Sequence, residues 1–143
     1  MKKIQIILLL LLFFPIVNIA QETPSLKETT DFIKKKVNQY GYYITIDFKD
    51  TKAVFVHHGQ SNDIIFSFYL EDVEISKSKS VVCESGLNIK FTCKKKSCFK
   101  VKHKNEELIS SSNSIDLNDV EIGNRVYTAF IHAKKLANKK EPF

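Results

Sequence analysis

The hydrophobic period of this chain changes twice, and that constrains its fold more than any other feature. From Ser25 to Tyr40 the apolar residues Leu26, Ile33, Val37 and Tyr40 recur on one helical face, with Phe32 beside them. From Tyr42 the pattern alternates, with Tyr42, Ile44, Ile46 and Phe48 on one side. From Asn118 it returns to helical spacing in Ile122, Val126, Phe130 and Ala133, widened by Tyr127 and Leu136. A stripe repeating every 3.6 residues suits a helix and one repeating every second residue suits a half-buried strand. The chain therefore reads as helix, antiparallel strands, helix.

Local signals sharpen both ends. Ser25 and Glu28 have the spacing of a capping box, with Pro24 just outside, and Gly41 stands where a helix commonly stops. Lys34, Lys35 and Lys36 lie toward the C-terminal half, where the helix dipole favours cations. In the last helix Asn118 and Glu121 repeat the capping spacing, and Lys134, Lys135, Lys139 and Lys140 crowd its end. Gly123 weakens its first turn by about 1 kcal/mol relative to alanine.

Between the helices, strands are expected at 42–48, 53–58, 64–70, 81–83, 87–93, 98–102 and 114–117, with a short edge strand at 71–76. Residues 103–108 read as a turn and 109–114, "ISSSNS", as a flexible stretch. Short strands at such regular spacing argue for an antiparallel meander. A bent sheet needs its apolar face covered, and the terminal helices are the available covers. The expected class is α+β: a six- to seven-stranded bent meander with an N-terminal helix and a C-terminal capping helix.

The first residues read as an export signal rather than as fold. Lys2 and Lys3 precede an apolar run from Ile4 to Phe14, interrupted only by Gln5, and Pro15 and Ala20 follow. That run falls short of the ~20 residues that span a bilayer, and it matches a signal peptide over residues 1–20. Asn18 fits the small-x-small cleavage rule poorly, which leaves room for the cut to move. Residues 21–143 are then expected to form one globular domain with no transmembrane segment, secreted or periplasmic. Removing the leader leaves 20 basic and 16 acidic side chains. That mild positive balance suits solubility and weak attraction to anionic surfaces. Export argues against a nucleic-acid partner.

The segments "PSLKETTDFIKKKVNQYG" and "NRVYTAFIHAKKL", on either side of the strands, resemble a group of small secreted proteins of gram-negative bacteria. Their functions are mostly unassigned, and their shape is similar to a pleckstrin-homology domain. The resemblance implies a strongly bent sheet capped by the last helix. It rests on apolar core positions and so brings no catalytic or ligand residues with it. That fold hosts many unrelated binding roles.

The chemistry-bearing residues are sparse. His57 and His58 are adjacent, so in a strand they point to opposite faces and do not chelate one ion. His103 and His132 stand apart, and no local pair has zinc-ligand spacing. Neither a metal nor any other cofactor is expected. Nucleophile-elbow, zincin and phosphate-loop motifs are missing. Glu71, Asp72 and Glu74 read as edge protection. No catalytic residue is assigned.

"FTCKKKSCFKV", residues 91–101, holds two of the three cysteines. An exported chain with three leaves at least one unpaired. Two hairpin registers compete for Cys93 and Cys98. If they sit opposite each other they can bridge, but Lys100 and Lys102 then share the face of Leu87, Ile89 and Phe91. If Cys93 pairs with Phe99, Phe91 faces Val101 and the apolar residues align. Burying Phe99 and Val101 contributes roughly 3–6 kcal/mol. A disulfide closing so short a loop contributes about 2 kcal/mol. The second register is favoured, and a bulge at the tip would still let Cys93 and Cys98 bridge. With a tight turn at "ESG", Cys83 lies about 15–20 Å along the strand from either, which leaves only pairing across a bent sheet open to it. Lys94, Lys95 and Lys96 occupy the tip, and Lys90, Lys100 and Lys102 are expected on one outward face with Lys104 following. These lysines either keep the edge soluble or dock on an anion.

The expectation is an exported, non-enzymatic interaction module for an unknown protein or an anionic envelope component. The alternatives are an anionic-surface binder for lipid, lipopolysaccharide or polysaccharide through Lys94, Lys95, Lys96, Lys100 and Lys102, and a small enzyme of unrecognised type.

Overall fold

The structure, a computed structural model, describes residues 23–139. The leader at residues 1–20 and the basic end at Lys140 lie outside the described residues. Helix α1 (Leu26–Tyr40) is followed by β1 (Ile44–Lys49), β2 (Lys52–His57) and β3 (Ile64–Tyr69). A 3₁₀ turn at Leu70–Asp72 leads to β4 (Val73–Lys79) and β5 (Leu87–Cys93). Then come β6 (Phe99–His103), β7 (Glu106–Ser110), β8 (Ser112–Leu117) and helix α2 (Val120–Asn138). The class is α+β, with every strand pair antiparallel.

The capping box at α1 forms as its spacing predicts. The Glu28 amide donates to Ser25 Oγ at 3.2 Å, and the Ser25 amide donates to the Glu28 carboxylate at 2.8 Å. The Ser25 amide, together with the Ser25 hydroxyl donating to the same carboxylate at 2.7 Å, holds the Glu28 carboxyl below its usual range. Gly41 does follow the last helical residue, but its backbone is extended (φ −70°, ψ 139°) rather than left-handed. Its small size is what matters: an added Cβ would lie 2.6 Å from both the Val37 carbonyl oxygen and Ile44 Cγ2. Helix α2 corrects the sequence reading. Asp119, not Asn118, is its cap, with Oδ1 accepting from the Ile122 amide at 2.9 Å. The Asn118 amide is used elsewhere, on the Tyr40 carbonyl at 3.0 Å, where it ties the end of α1 to the start of α2.

Eight strands form, one more than the upper expectation, in two sheets. Five lie in the order β1-β2-β3-β6-β7 and three in the order β4-β5-β8. The extra strand is β7, within residues read as turn and flexible loop. Its first four residues are all exposed, so it carries no inward-outward alternation to betray it. Conversely, residues 81–83 form a bend and not a strand. Ser80 Oγ accepts from the amides of Val82 (3.1 Å) and Cys83 (2.9 Å), which draws these residues out of extended pairing. Val81 is left 98 % exposed.

Phe91 of β5 sits at the centre of the core. Its ring meets Phe55 of β2 at 5.2 Å, Phe68 of β3 at 5.4 Å and Phe130 of α2 at 4.9 Å. Those three contacts join both sheets and the closing helix, and all four rings are fully buried. Gly123 has its reason here: Leu87 of β5 packs where its side chain would be, 2.6 Å from an added Cβ. The expected stripe of α2 is present in Val126, Phe130 and Ala133, with Ala137 extending it.

Candidate functional site

The cysteine–lysine stretch does not form a hairpin. β5 pairs with β4 and β8, while β6 pairs with β3 and β7. The Cys93–Phe99 register expected from sequence is therefore absent. Phe91 lies opposite Ile75 and Asn113, and Val101 opposite Phe66 and Leu108. The physical reason is the core: Phe99 is fully buried against Phe68 of β3, at 4.7 Å. Residues Lys94–Ser97 cross from one sheet to the other, and a disulfide joins Cys93 to Cys98 over a Cα–Cα distance of 5.6 Å. Cys83 carries a free, half-buried thiol.

Backbone bonds fix this corner from two sides. The Cys93 amide donates to the Ser111 carbonyl (2.8 Å), Lys94 to Asp72 (2.9 Å) and Cys98 to Ser110 (3.3 Å). The side chains of Lys94, Lys95 and Lys96 stay exposed on the crossing. Lys100 and Lys102 alternate with buried Phe99 and Val101, so they stand exposed on the outer face of the five-stranded sheet. Lys90 is elsewhere. It points outward from β5 in the other sheet, between Ser76 and Ser114, and does not share a face with Lys100 and Lys102. Lys104 sits in the β6–β7 turn with a left-handed backbone (φ 55°). Among the described residues, none of Lys94, Lys95, Lys96, Lys100 and Lys102 has a carboxylate within 4 Å, although Glu107 lies across the ladder from Lys102.

The histidines separate as strand geometry predicts. His58 faces outward, near Thr45 Oγ1 (3.0 Å) and Asp63 Oδ1 (3.3 Å). His57 continues the inward row of Ala53 and Phe55 and meets the Phe66 ring at 5.1 Å. Its Nε2 is buried without a hydrogen-bond partner among the described residues, as is Asn113 Nδ2. Burial pushes the His57 imidazole below its ordinary pKa; the neighbouring Asn113 carboxamide works the other way. This is a neutral, half-buried histidine beside an amide. Among the described residues, no three His, Cys, Asp or Glu side chains gather as a metal would require.

The helices make a further feature that sequence reading missed. α1 and α2 run antiparallel, tied at one end by Asn118 and Tyr40. At the other, His132 Nε2–H donates to the Pro24 carbonyl at 3.0 Å. Between them lies an open groove of about 930 Å³ with a mainly apolar lining. Its floor is small residues, buried Thr29 and half-buried Ala129. The signal was present in the sequence as Ser25, Thr29 and Phe32 on one helix and Arg125, Thr128, Ala129 and His132 on the other. It could be read only once the two faces were known to meet. The chain matches no known family model, no curated protein and no solved structure.

Proposed function

We propose that the protein is an exported, non-enzymatic binding module that docks on an anionic lipid surface of the cell envelope through its lysine corner. One observation carries this reading: five exposed lysines without ion-pair partners among the described residues, three of them on a crossing pinned by a disulfide and three backbone hydrogen bonds. Among the described residues, lysines elsewhere are also mostly unpaired, so what distinguishes this corner is three consecutive exposed lysines held on one fixed crossing. A positive patch on a fixed loop raises the local concentration of anionic headgroups without needing a pocket. Each lysine near such a surface contributes about 1 kcal/mol.

Co-sedimentation with vesicles of equal parts phosphatidylcholine and phosphatidylglycerol tests this. Binding is expected with these vesicles, not with phosphatidylcholine alone. It should weaken as salt shortens the Debye length from about 10 Å at 0.1 M to about 3 Å at 1 M. The triple variant Lys94→Glu, Lys95→Glu, Lys96→Glu should lose it. Salt-insensitive binding, or binding unchanged in the triple variant, ends the proposal.

A further inference from the structure

From the groove between the helices we infer a second site, independent of the lysine corner: a cleft for a single-chain amphiphile with a carboxylate head, held by Arg125. The chain has one arginine, and it stands at this groove. Its guanidinium lies over the Phe32 ring, 5.8 Å from the centroid, so the ring orients it. Among the described residues no carboxylate lies within 4 Å of it. Arginine presents a planar fork of donors that matches a carboxylate in two parallel hydrogen bonds. A guanidinium oriented by an aromatic ring, with no anion paired to it among the described residues, is a preformed half of such a pair.

The rest of the groove suits an apolar tail. Thr29 and Ala129 let the helices approach and leave a valley rather than a ridge. From Ser25 to Phe32 the valley runs about 10 Å at 1.5 Å per helical residue. Its volume falls within the range of small-molecule sites, about 300–1,000 Å³. The acidic residue at the groove, Glu28, is engaged by the amide and hydroxyl of Ser25, so it does not compete for Arg125. His132 closes the far end through its bond to Pro24. The occupant is therefore a medium-length chain whose carboxylate sits at Arg125 and whose tail lies toward His132.

Titration calorimetry and amide-shift mapping with decanoate, decanol and butyrate test this. Decanoate should bind saturably one to one and shift groove residues. Decanol, with the same tail and no charge, should bind about tenfold more weakly or worse, and butyrate, with the head and little tail, likewise. Arg125→Gln, an exposed position where folding is not at stake, should weaken decanoate about tenfold and leave decanol unchanged. Ala129→Leu, which fills the floor, should weaken both, with circular dichroism confirming its fold. If that variant misfolds, Arg125→Gln alone decides. Equal affinity for decanol and decanoate overturns the inference, as does an unaffected Arg125→Gln variant. So do shifts confined to the lysine corner, or groove shifts that follow protein dilution rather than decanoate, the mark of a second copy.

Discussion

Cys93 and Cys98 are bonded to each other although the strands beside them belong to different sheets. The bridge therefore staples the corner where the chain leaves the three-stranded sheet for the five-stranded one. It should contribute about 2 kcal/mol, the chain-entropy value for so short a loop. The Cys93→Ser, Cys98→Ser double variant is expected to fold and to unfold at correspondingly lower denaturant. Thiol titration of the unfolded protein should find one reactive thiol, Cys83, without reductant and three with it. Three without reductant would remove the staple.

Gly123 and Leu87 offer a sharper test of packing. Glycine to alanine in a helix ordinarily stabilises by about 1 kcal/mol. Here the added methyl would lie 2.6 Å from Leu87 Cβ, a backbone-anchored atom that cannot swing away. Gly123→Ala should therefore destabilise, by about 1–3 kcal/mol. Leu87→Gly, which removes the clashing Cβ, is costly alone but should cost less in the Gly123→Ala background. Additive losses in that double-mutant cycle would show that the two positions do not touch.

Which residues face inward was largely legible in the sequence, because alternation needs no knowledge of partners. Ile44, Ile46, Phe55, Phe91, Phe99 and Val101 are buried where the period places them. Which strand lies beside which was not legible. Phe66 pairs with Val101 across 35 positions, and nothing local in either segment names the other. Strand β7 escaped because an exposed edge needs no apolar alternation. Val81–Cys83 misled because a side chain, Ser80 Oγ, outcompeted strand pairing for two amides. The candidate sites divide the same way. The lysines could be listed from sequence, but their grouping required the sheet assignment, which moved Lys90 to another face. The helix groove depends on the antiparallel meeting of two helices 80 or more residues apart.

The N-terminus of α2 separates two neighbouring residues with similar side chains. Asp119 accepts from the Ile122 amide, while Asn118 contributes its backbone amide to Tyr40. Asp119→Ala should cost about 1 kcal/mol, the usual worth of a lost cap. Asn118→Ala keeps the backbone bond and should be nearly neutral in the same urea titration. A larger loss at Asn118 than at Asp119 would restore the assignment that sequence spacing favours.

His57 makes stability depend on pH in a definite direction. Burial holds its folded pKa below the ordinary value of about 6.5, with His58 adding to the depression and Asn113 and Asp116 opposing it. Between the folded pKa and about 6.5 the unfolded chain binds more protons than the folded one. Stability must therefore fall as the pH drops through this window, and His57 adds no further change below its folded pKa. Glu28 and Asp47 are also depressed, Glu28 by hydrogen bonds from Ser25 and Asp47 chiefly by its bond from Lys34. Their losses begin near pH 5, as the unfolded carboxyls start to bind protons, so a comparison of pH 7.5 with pH 5.5 leaves them out. His57→Phe keeps a ring against Phe66 and removes the titration. Its urea midpoint should drop less between those two pH values than that of the unsubstituted protein. An equal drop in both would show that His57 does not carry the pH dependence.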